Sequence, residues 1–423
     1  MGQPRSAGNS MRAITFHISF ARWWACQILG RFSKGVYWGP ISTLRLTDIP
    51  EQPLPGDDWV RIRPRLGGIC GSDVSVIMLG NPPDSFGRDL VVEPVVIGHE
   101  NVGIVTERGP AAQDVPEGLR VNVDPVIACA ARGLDPCPSC REGQFCACWN
   151  VATGRNVGLG FSVGHSGRVG GSWADSFVAH KSQLVAVPDG LTDEQAVLVD
   201  PLSTSVHAVL RRPPGPQDQD ILVMGCGIIG LGIIVMLRAT GFKGRIMAVA
   251  RHRFQQTLAL HFGASEAWDA RDQCEKDLFD RLGEMYRCKP IKGMFGRKIL
   301  LGGVDLVYDA VGVRRSVEDS LRLVRPQGTV VIVGMGHPRW VDWDPIPHKQ
   351  LTVVGMHGRG IETWKGARRH TYEIVHELMA EGRFPAEKLL THIFPLEDYK
   401  GALETLTRKG RHGAVHAAFR ISS

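Results

Sequence analysis

The sequence predicts an α/β protein in two parts, a β-rich part followed by a doubly wound parallel sheet. Three observations carry this. Short β-like runs broken by prolines fill the early chain, as in Leu44-Arg45-Leu46 and Val60-Arg61-Ile62-Arg63. Beyond residue 220, strand patterns alternate with helical ones at the spacing that builds a parallel sheet with crossovers. Where the two styles meet, Ile221-Leu222-Val223-Met224-Gly225-Cys226-Gly227-Ile228-Ile229-Gly230 reads as strand, tight turn and apolar helix.

Length and composition bound the answer. A chain of 423 residues exceeds one usual core, so two domains are expected. Hydrophobic content of 43% and charged content of 22% suit a globular enzyme. A net charge of +6 is mild, and no nucleic-acid partner is expected. No run of about 18 apolar residues occurs, so no spanning helix and no membrane partner are expected. Ten cysteines include four between 137 and 148. Such crowding, with no signal-peptide pattern, reads as metal ligation in a reducing compartment, hence the cytoplasm.

Residues 1–10 read as a disordered tail, with Met11 as an alternative start. Residues 11–38 are rich in aromatic side chains among Arg22, Arg31 and Lys34. They read as an N-terminal strand and helix packed on the body, in preference to a membrane-surface helix. Val91–Ile97, Val102–Glu107, Leu119–Val123 and Ser176–Val187 continue the β pattern, suggesting a partly closed barrel. Thr192-Asp193-Glu194-Gln195 is a capping box opening a helix, and Pro201 suits the first position of the next. After the loop Pro213-Pro214-Gly215-Pro216 come strands at Ile221–Met224, Arg245–Ala250, Val304–Tyr308 and Thr329–Val333. Helices are expected at Ile228–Thr240, Phe254–Phe262 and Ser316–Val324, and an insertion at 271–300. Helices at 366–381 and 397–408 and a strand at 414–420 end the chain.

The glycine turn has the context of a dinucleotide site. Gly225 permits the tight turn, Gly227 lets backbone N–H groups meet a pyrophosphate, and Gly230 lets helix and strand pack closely. Ile228 and Ile229 open the helix whose N-terminus favours the phosphates. An NAD site wants an acid at the end of the second strand, but Ala250 stands there, followed by Arg251 and Arg253. Guanidinium groups suit a 2′-phosphate, so NADP is expected over NAD.

Two metal patterns accompany it. Cys137-Pro138-Ser139-Cys140 is a C-x-x-C knuckle with Cys148 beyond it and Cys129 before it. Four thiolates would close a structural zinc site, and Cys146 competes with Cys129 for the fourth place. Cys70, His99 and Asp200 would make an open, catalytic site, with Glu100 reaching the metal or tuning it from behind.

Taken together, Gly68-Ile69-Cys70-Gly71-Ser72-Asp73, Gly98-His99-Glu100, the Cys137–Cys148 lobe, Asp200-Pro201-Leu202 and Val223–Gly230 resemble the zinc-dependent medium-chain dehydrogenases. The likeness runs over nearly the whole chain from Met11. It implies a GroES-like catalytic domain, 11–199 with 348–423, and a Rossmann domain, 200–347. It implies that Cys70, His99 and Asp200 hold a catalytic zinc and that Ser72 relays a proton. Val311-Gly312 and Val333-Gly334-Met335 are expected to line the nicotinamide. The substrate would be a small alcohol or carbonyl compound, and the assembly a dimer or tetramer. Three features depart from the family pattern: Ser75 stands where many relatives carry a relay histidine, the first lobe cysteine is displaced to Cys129, and 11–40 and 271–300 have no counterpart. Rival readings are a zinc-independent quinone or enone reductase on the same fold, a zinc-ribbon binding protein, and a silent nucleotide-bound sensor.

Overall fold

The ten-residue strand Trp59–Gly68 is the spine of the first half of the molecule. Alternation of buried and open positions along it puts Trp59, Val60, Ile62 and Leu66 inside, where Val60 and Ile62 meet Val105, Val121 and Phe177. Burying such residues contributes roughly 1.5–3 kcal/mol each, enough to fix the register. The computed structural model describes residues 10–17, 19–81, 85, 91, 94–154, 157–271 and 277–421. The described chain divides into two compact units, 1–200 with 375–423, and 201–374.

The first unit holds a seven-stranded sheet in the order Leu390–Pro395, His416–Arg420, Trp59–Gly68, Asn101–Arg108, Arg120–Val123 and Leu184–Ala186, with Phe177–His180 also pairing to Trp59–Gly68. A second sheet joins Arg45–Pro50, Ser10–Phe16 and Val95–Val96. Both neighbours of Trp59–Gly68 on the main path run antiparallel, with Gly67 opposite Asn101 and Gly68 opposite Ala418. The end of the central strand therefore meets the starts of two others. That convergence gathers residues near 70, 100 and 416.

The second unit is a six-stranded parallel sheet in the order Glu266–Asp269, Arg245–Ala250, Asp220–Met224, Val304–Asp309, Val324–Ile332 and Thr352–Gly355. Chain direction across the sheet reverses between Asp220–Met224 and Val304–Asp309. In such sheets that switch point is where ligands bind. The α/β class expected from the sequence, a β-rich part and a doubly wound parallel sheet, is thus the fold observed.

Several elements differ from expectation. The tail 1–10 lies outside the described residues except for Ser10, which begins the first strand. The expected strand Val91–Ile97, partly outside them, is reduced to Val95–Val96. The helix expected over 366–381 is Thr371–Ala380; before it, Ile361–Trp364 and Ala367–His370 form a hairpin closed by Lys365 and Gly366, both at positive φ. The chain leaves the second unit at 374 rather than 347, because Thr352–Gly355 pairs with Val324–Ile332 as a sixth strand. Within 271–300 stand the helix Leu278–Met285 and a small hairpin, Ile291–Lys292 with Lys298–Ile299. The N-terminal segment does form a strand and a helix, α1 (Phe20–Leu29), that packs through Cys26, followed by buried Tyr37 and Trp38. Its outer face stays in solvent.

Candidate functional site

Cys70 is the N-cap of helix α2 (Gly71–Ile77). The glycine-flanked turn read from the sequence is therefore a helix start. Asp73 closes a capping box, its Oδ2 accepting the Cys70 backbone N–H at 3.0 Å. The other oxygen of Asp73 lies 3.1 Å from Nδ1 of His99. A fully buried carboxylate there makes Nδ1 the donor and turns Nε2 toward the thiol. Burial opposes the His99 imidazolium, yet Asp73 and Cys70 outweigh it and hold His99 well above its ordinary value. Burial and then Glu100 push the Cys70 thiol up, against the pull of His99.

Glu100 completes the cluster. Ligand atoms of Cys70, His99 and Glu100 lie within 4.8 Å of one another. Oε2 of Glu100 is 2.6 Å from Nε2 of His416, at the start of the C-terminal strand. Oε1 is buried with no hydrogen-bond partner. An orphaned carboxylate oxygen beside a buried thiol and an oriented imidazole is a donor set that suits zinc. Gly68 is required here: a Cβ on it would come within 2.1 Å of Glu100 Oε2. Gly98, at φ +100, likewise leaves room for Trp173.

Asp200 does not join that group. It is buried in the first turn of the helix Val199–Arg211. The same neighbourhood holds residues that sequence reasoning missed. His165 has its ring 5.4 Å from that of His99, and its Nδ1 is 2.9 Å from Ser162 Oγ. Ligand atoms of Asp73, His99 and His165 also lie within 4.8 Å. Burial, with His99 adding to it, lowers His165 to about 4, so it is neutral. The Lys409 ammonium is lowered by burial and lifted by Cys70 and Glu100. Ser72 is half-buried in the first turn of α2, while the Ser75 hydroxyl donates to Asn81 Oδ1 at 3.1 Å.

The second cluster brings Cys129, Cys137, Cys140 and Cys148 together, with Cys146 outside it. Cys129 and Cys148 sulfurs are 3.6 Å apart. A tetrahedral zinc with bonds of about 2.3 Å sets its thiolates at about 3.8 Å, so the spacing fits. Backbone N–H groups of Cys137, Trp149 and Asn150 point at the sulfurs of Cys129, Cys137 and Cys148. Burial opposes ionisation of Cys137, but N–H donors, chiefly Trp149, bring it down to about 6. Cys140 and Cys148 are pushed up, mainly by burial. Four thiolates this close repel one another unless a cation lies among them. Arg132, fully buried, donates to the carbonyls of Ile127, Thr153, Gly158 and Gly160 and pins the loop that carries Cys129 inward.

In the parallel sheet, Gly225 sits at φ +90, and a Cβ on Gly230 would lie 1.8 Å from the Gly225 carbonyl oxygen. Above Gly227 there is open space, and no side chain caps the helix Ile228–Ala239 that it begins. That arrangement fits a pyrophosphate: free N–H groups, a helix N-terminus and no side chain in the way. Ala250 ends its strand buried, while Arg251 and Arg253 are exposed and, among the described residues, make no side-chain hydrogen bond or ion pair. The acid Asp269 aligns with Ala250 on the next strand, but Arg271 engages it. The loops Val311-Gly312 and Val333-Gly334-Met335 lie against each other, since a Cβ on Gly312 would meet the Gly334 carbonyl oxygen at 1.9 Å. Asp309, also missed from sequence, organises the first loop by accepting the N–H groups of Val311 and Gly312.

Comparison with known proteins identifies the family. The alcohol dehydrogenase GroES-like domain matches residues 56–189, and the zinc-binding dehydrogenase family matches 229–372. Sorbitol dehydrogenase of Arabidopsis thaliana is 29% identical over 87% of this chain and 90% of its own length. L-idonate 5-dehydrogenase of Vitis vinifera is 27% identical over 87% and 90%. In structure, 2R,3R-butanediol dehydrogenase of Bacillus subtilis superposes with a TM-score of 0.68 at 24% identity, covering 97% of this chain and 100% of its own. With both cysteine-containing clusters inside the first matched region and five of the six strands of the parallel sheet in the second, the chain belongs to the zinc-dependent medium-chain dehydrogenase family and is an alcohol-dehydrogenase-like enzyme.

Proposed function

We propose that the protein oxidises a secondary hydroxyl of an alcohol, polyol or sugar acid to a carbonyl, reversibly, with NADP as hydride acceptor. The observation that carries this reading is the buried trio Cys70, His99 and Glu100, with the Glu100 Oε1 left unpartnered. Cys70 and His99 would hold the catalytic zinc, with Glu100 as the carboxylate beside them. When bound, the zinc supplies a Lewis acid that makes a hydroxyl proton easier to lose. Asp73 keeps the His99 ring in one orientation and one tautomer throughout. Ser72 Oγ accepts the hydroxyl proton as its own hydroxyl proton passes outward to solvent water. Ser75, whose own proton goes to Asn81, is not the next carrier. One C–H bond breaks as its electron pair leaves as hydride, and the C–O bond becomes a carbonyl. The cofactor supplies the hydride-accepting nicotinamide.

Support for polyol-like substrates comes from the names of the sorbitol and idonate relatives. Support for NADP comes from Arg251 and Arg253, exposed and uncommitted after Ala250. Cys129, Cys137, Cys140 and Cys148 would hold a second, structural zinc. The test is metal analysis together with an NADP-coupled screen of secondary alcohols, polyols and sugar acids. We expect about two zinc per chain and turnover that Cys70→Ser abolishes. A kcat/KM favouring NAD would overturn the cofactor assignment, and full turnover in Cys70→Ser would overturn the site.

A further inference from the structure

Helix α1 is anchored by one face and bare on the other. Cys26 is buried beneath it, and Gln27 Nε2 donates to the Leu79 carbonyl at 3.1 Å. On the opposite face Phe20, Trp24 and Ile28 follow at a spacing of four, 77%, 50% and 54% exposed, and Phe32 beyond the helix is 87% exposed. Spaced in this way, they form one apolar stripe in water rather than scattered single residues.

The charges on α1 and on the segment just after it have one sign. No Asp or Glu precedes Asp48 in the chain. Arg22 on the helix and Arg31 and Lys34 just after it are exposed, and among the described residues make no ion pair or side-chain hydrogen bond. On the neighbouring helix Tyr399–Thr407, Glu404 is engaged by Arg408, and Asp398 accepts the Gly401 N–H. An aromatic and aliphatic stripe edged by free cations is the composition of a helix lying in a bilayer interface. A second copy of this chain would bring the same cations against themselves. A negatively charged lipid surface complements both the apolar stripe and its rim.

We propose that α1 and Phe32 dock the enzyme reversibly on an anionic lipid bilayer, with Phe20, Trp24, Ile28 and Phe32 inserted at headgroup depth and Arg22, Arg31 and Lys34 against the headgroups. This reverses the sequence-based expectation of no membrane partner. It requires no spanning helix, and among the described residues none is long and apolar enough to span. The proposal does not depend on the substrate or cofactor.

Flotation of the full chain with phosphatidylcholine vesicles, with and without about one-third phosphatidylserine, tests it. Binding to the anionic vesicles is expected, weakening as salt rises above about 0.15 M. The triple variant Arg22→Glu, Arg31→Glu, Lys34→Glu should lose roughly a hundredfold or more in partition while keeping its circular dichroism and Tm. Phe20→Ser with Trp24→Ser should abolish binding at every salt concentration. Equal partition of wild type and the charge-reversed variant would overturn the proposal. So would the absence of vesicle binding, including the case where Phe20→Ser with Trp24→Ser reduces the particle mass in light scattering, which would make the stripe a contact between protein chains.

Discussion

Asp73 serves two partners with one carboxylate: Oδ2 fixes the backbone at Cys70 and Oδ1 fixes the ring of His99. Asp73→Asn keeps the shape but weakens the acceptor, so zinc affinity at the Cys70 cluster should fall roughly 10–100-fold in chelator competition while the four-cysteine metal stays. Unchanged affinity would show that His99 is oriented by something else. This role was not legible in the sequence, where Asp73 stood in a recognisable motif but its partner lay 26 residues away. His416 is harder still, 316 residues from Glu100. Lys349 offers an independent reading of burial. Its ammonium donates to the carbonyls of Leu321, Arg322 and Val324, yet burial lowers it from 10.5 to about 8. With the folded value below the unfolded one, the unfolded chain binds more protons between these limits. Stability attributable to Lys349 therefore rises with pH from about 8 to 10.5, by up to about 1.4 kcal/mol per pH unit. The Tm difference between wild type and Lys349→Met should shift in favour of wild type over that window, and a constant difference would refute the assignment.

At the scale of elements, the glycines of the strand–helix turn separate packing from binding. A Cβ at Gly230 collides with the Gly225 carbonyl, whereas one at Gly227 meets nothing within 4 Å. Gly230→Ala should therefore lower both Tm and NADP affinity, the packing strain alone costing about 1–3 kcal/mol. Gly227→Ala should leave Tm nearly unchanged and weaken NADP at least roughly tenfold, because its methyl would occupy the space a pyrophosphate needs. Calorimetric titration beside thermal melts distinguishes the two, and equal effects on both variants would contradict the division. This turn was readable in sequence because strand, glycines and helix are local to one another. The hairpin Ile361–Trp364 with Ala367–His370 was not, since its turn residues Lys365 and Gly366 lack the usual Asn-Gly or Asp-Gly signal. Nor was the exposure of α1, because an almost wholly apolar helix gives no contrast to show which face is covered.

Across the whole molecule, stability is built from different materials in different places. The parallel sheet rests on a large aliphatic core including Leu222, Met247, Val307, Val317 and Val330. The lobe near Cys137 has instead Cys129, Cys137 and Cys148 as its buried centre, with, among the described residues, only Ala128, Leu134, Cys140 and Val151 packed around them. So little apolar burial does not offset the entropy of ordering a loop, and on the proposed reading a structural zinc acts as the core there. Removing the metal leaves four sulfurs with nothing between them to hold them together. Amide exchange after treatment with a strong chelator should therefore accelerate across 129–150, and Cys140→Ser should reproduce it without chelator. Strands Asp220–Met224 and Val304–Asp309 should keep their protection, because their core contains none of these cysteines. Unaltered protection in the lobe of a demonstrably metal-free protein would mean that Arg132, through its bonds to Ile127, Thr153, Gly158 and Gly160, suffices to order it alone.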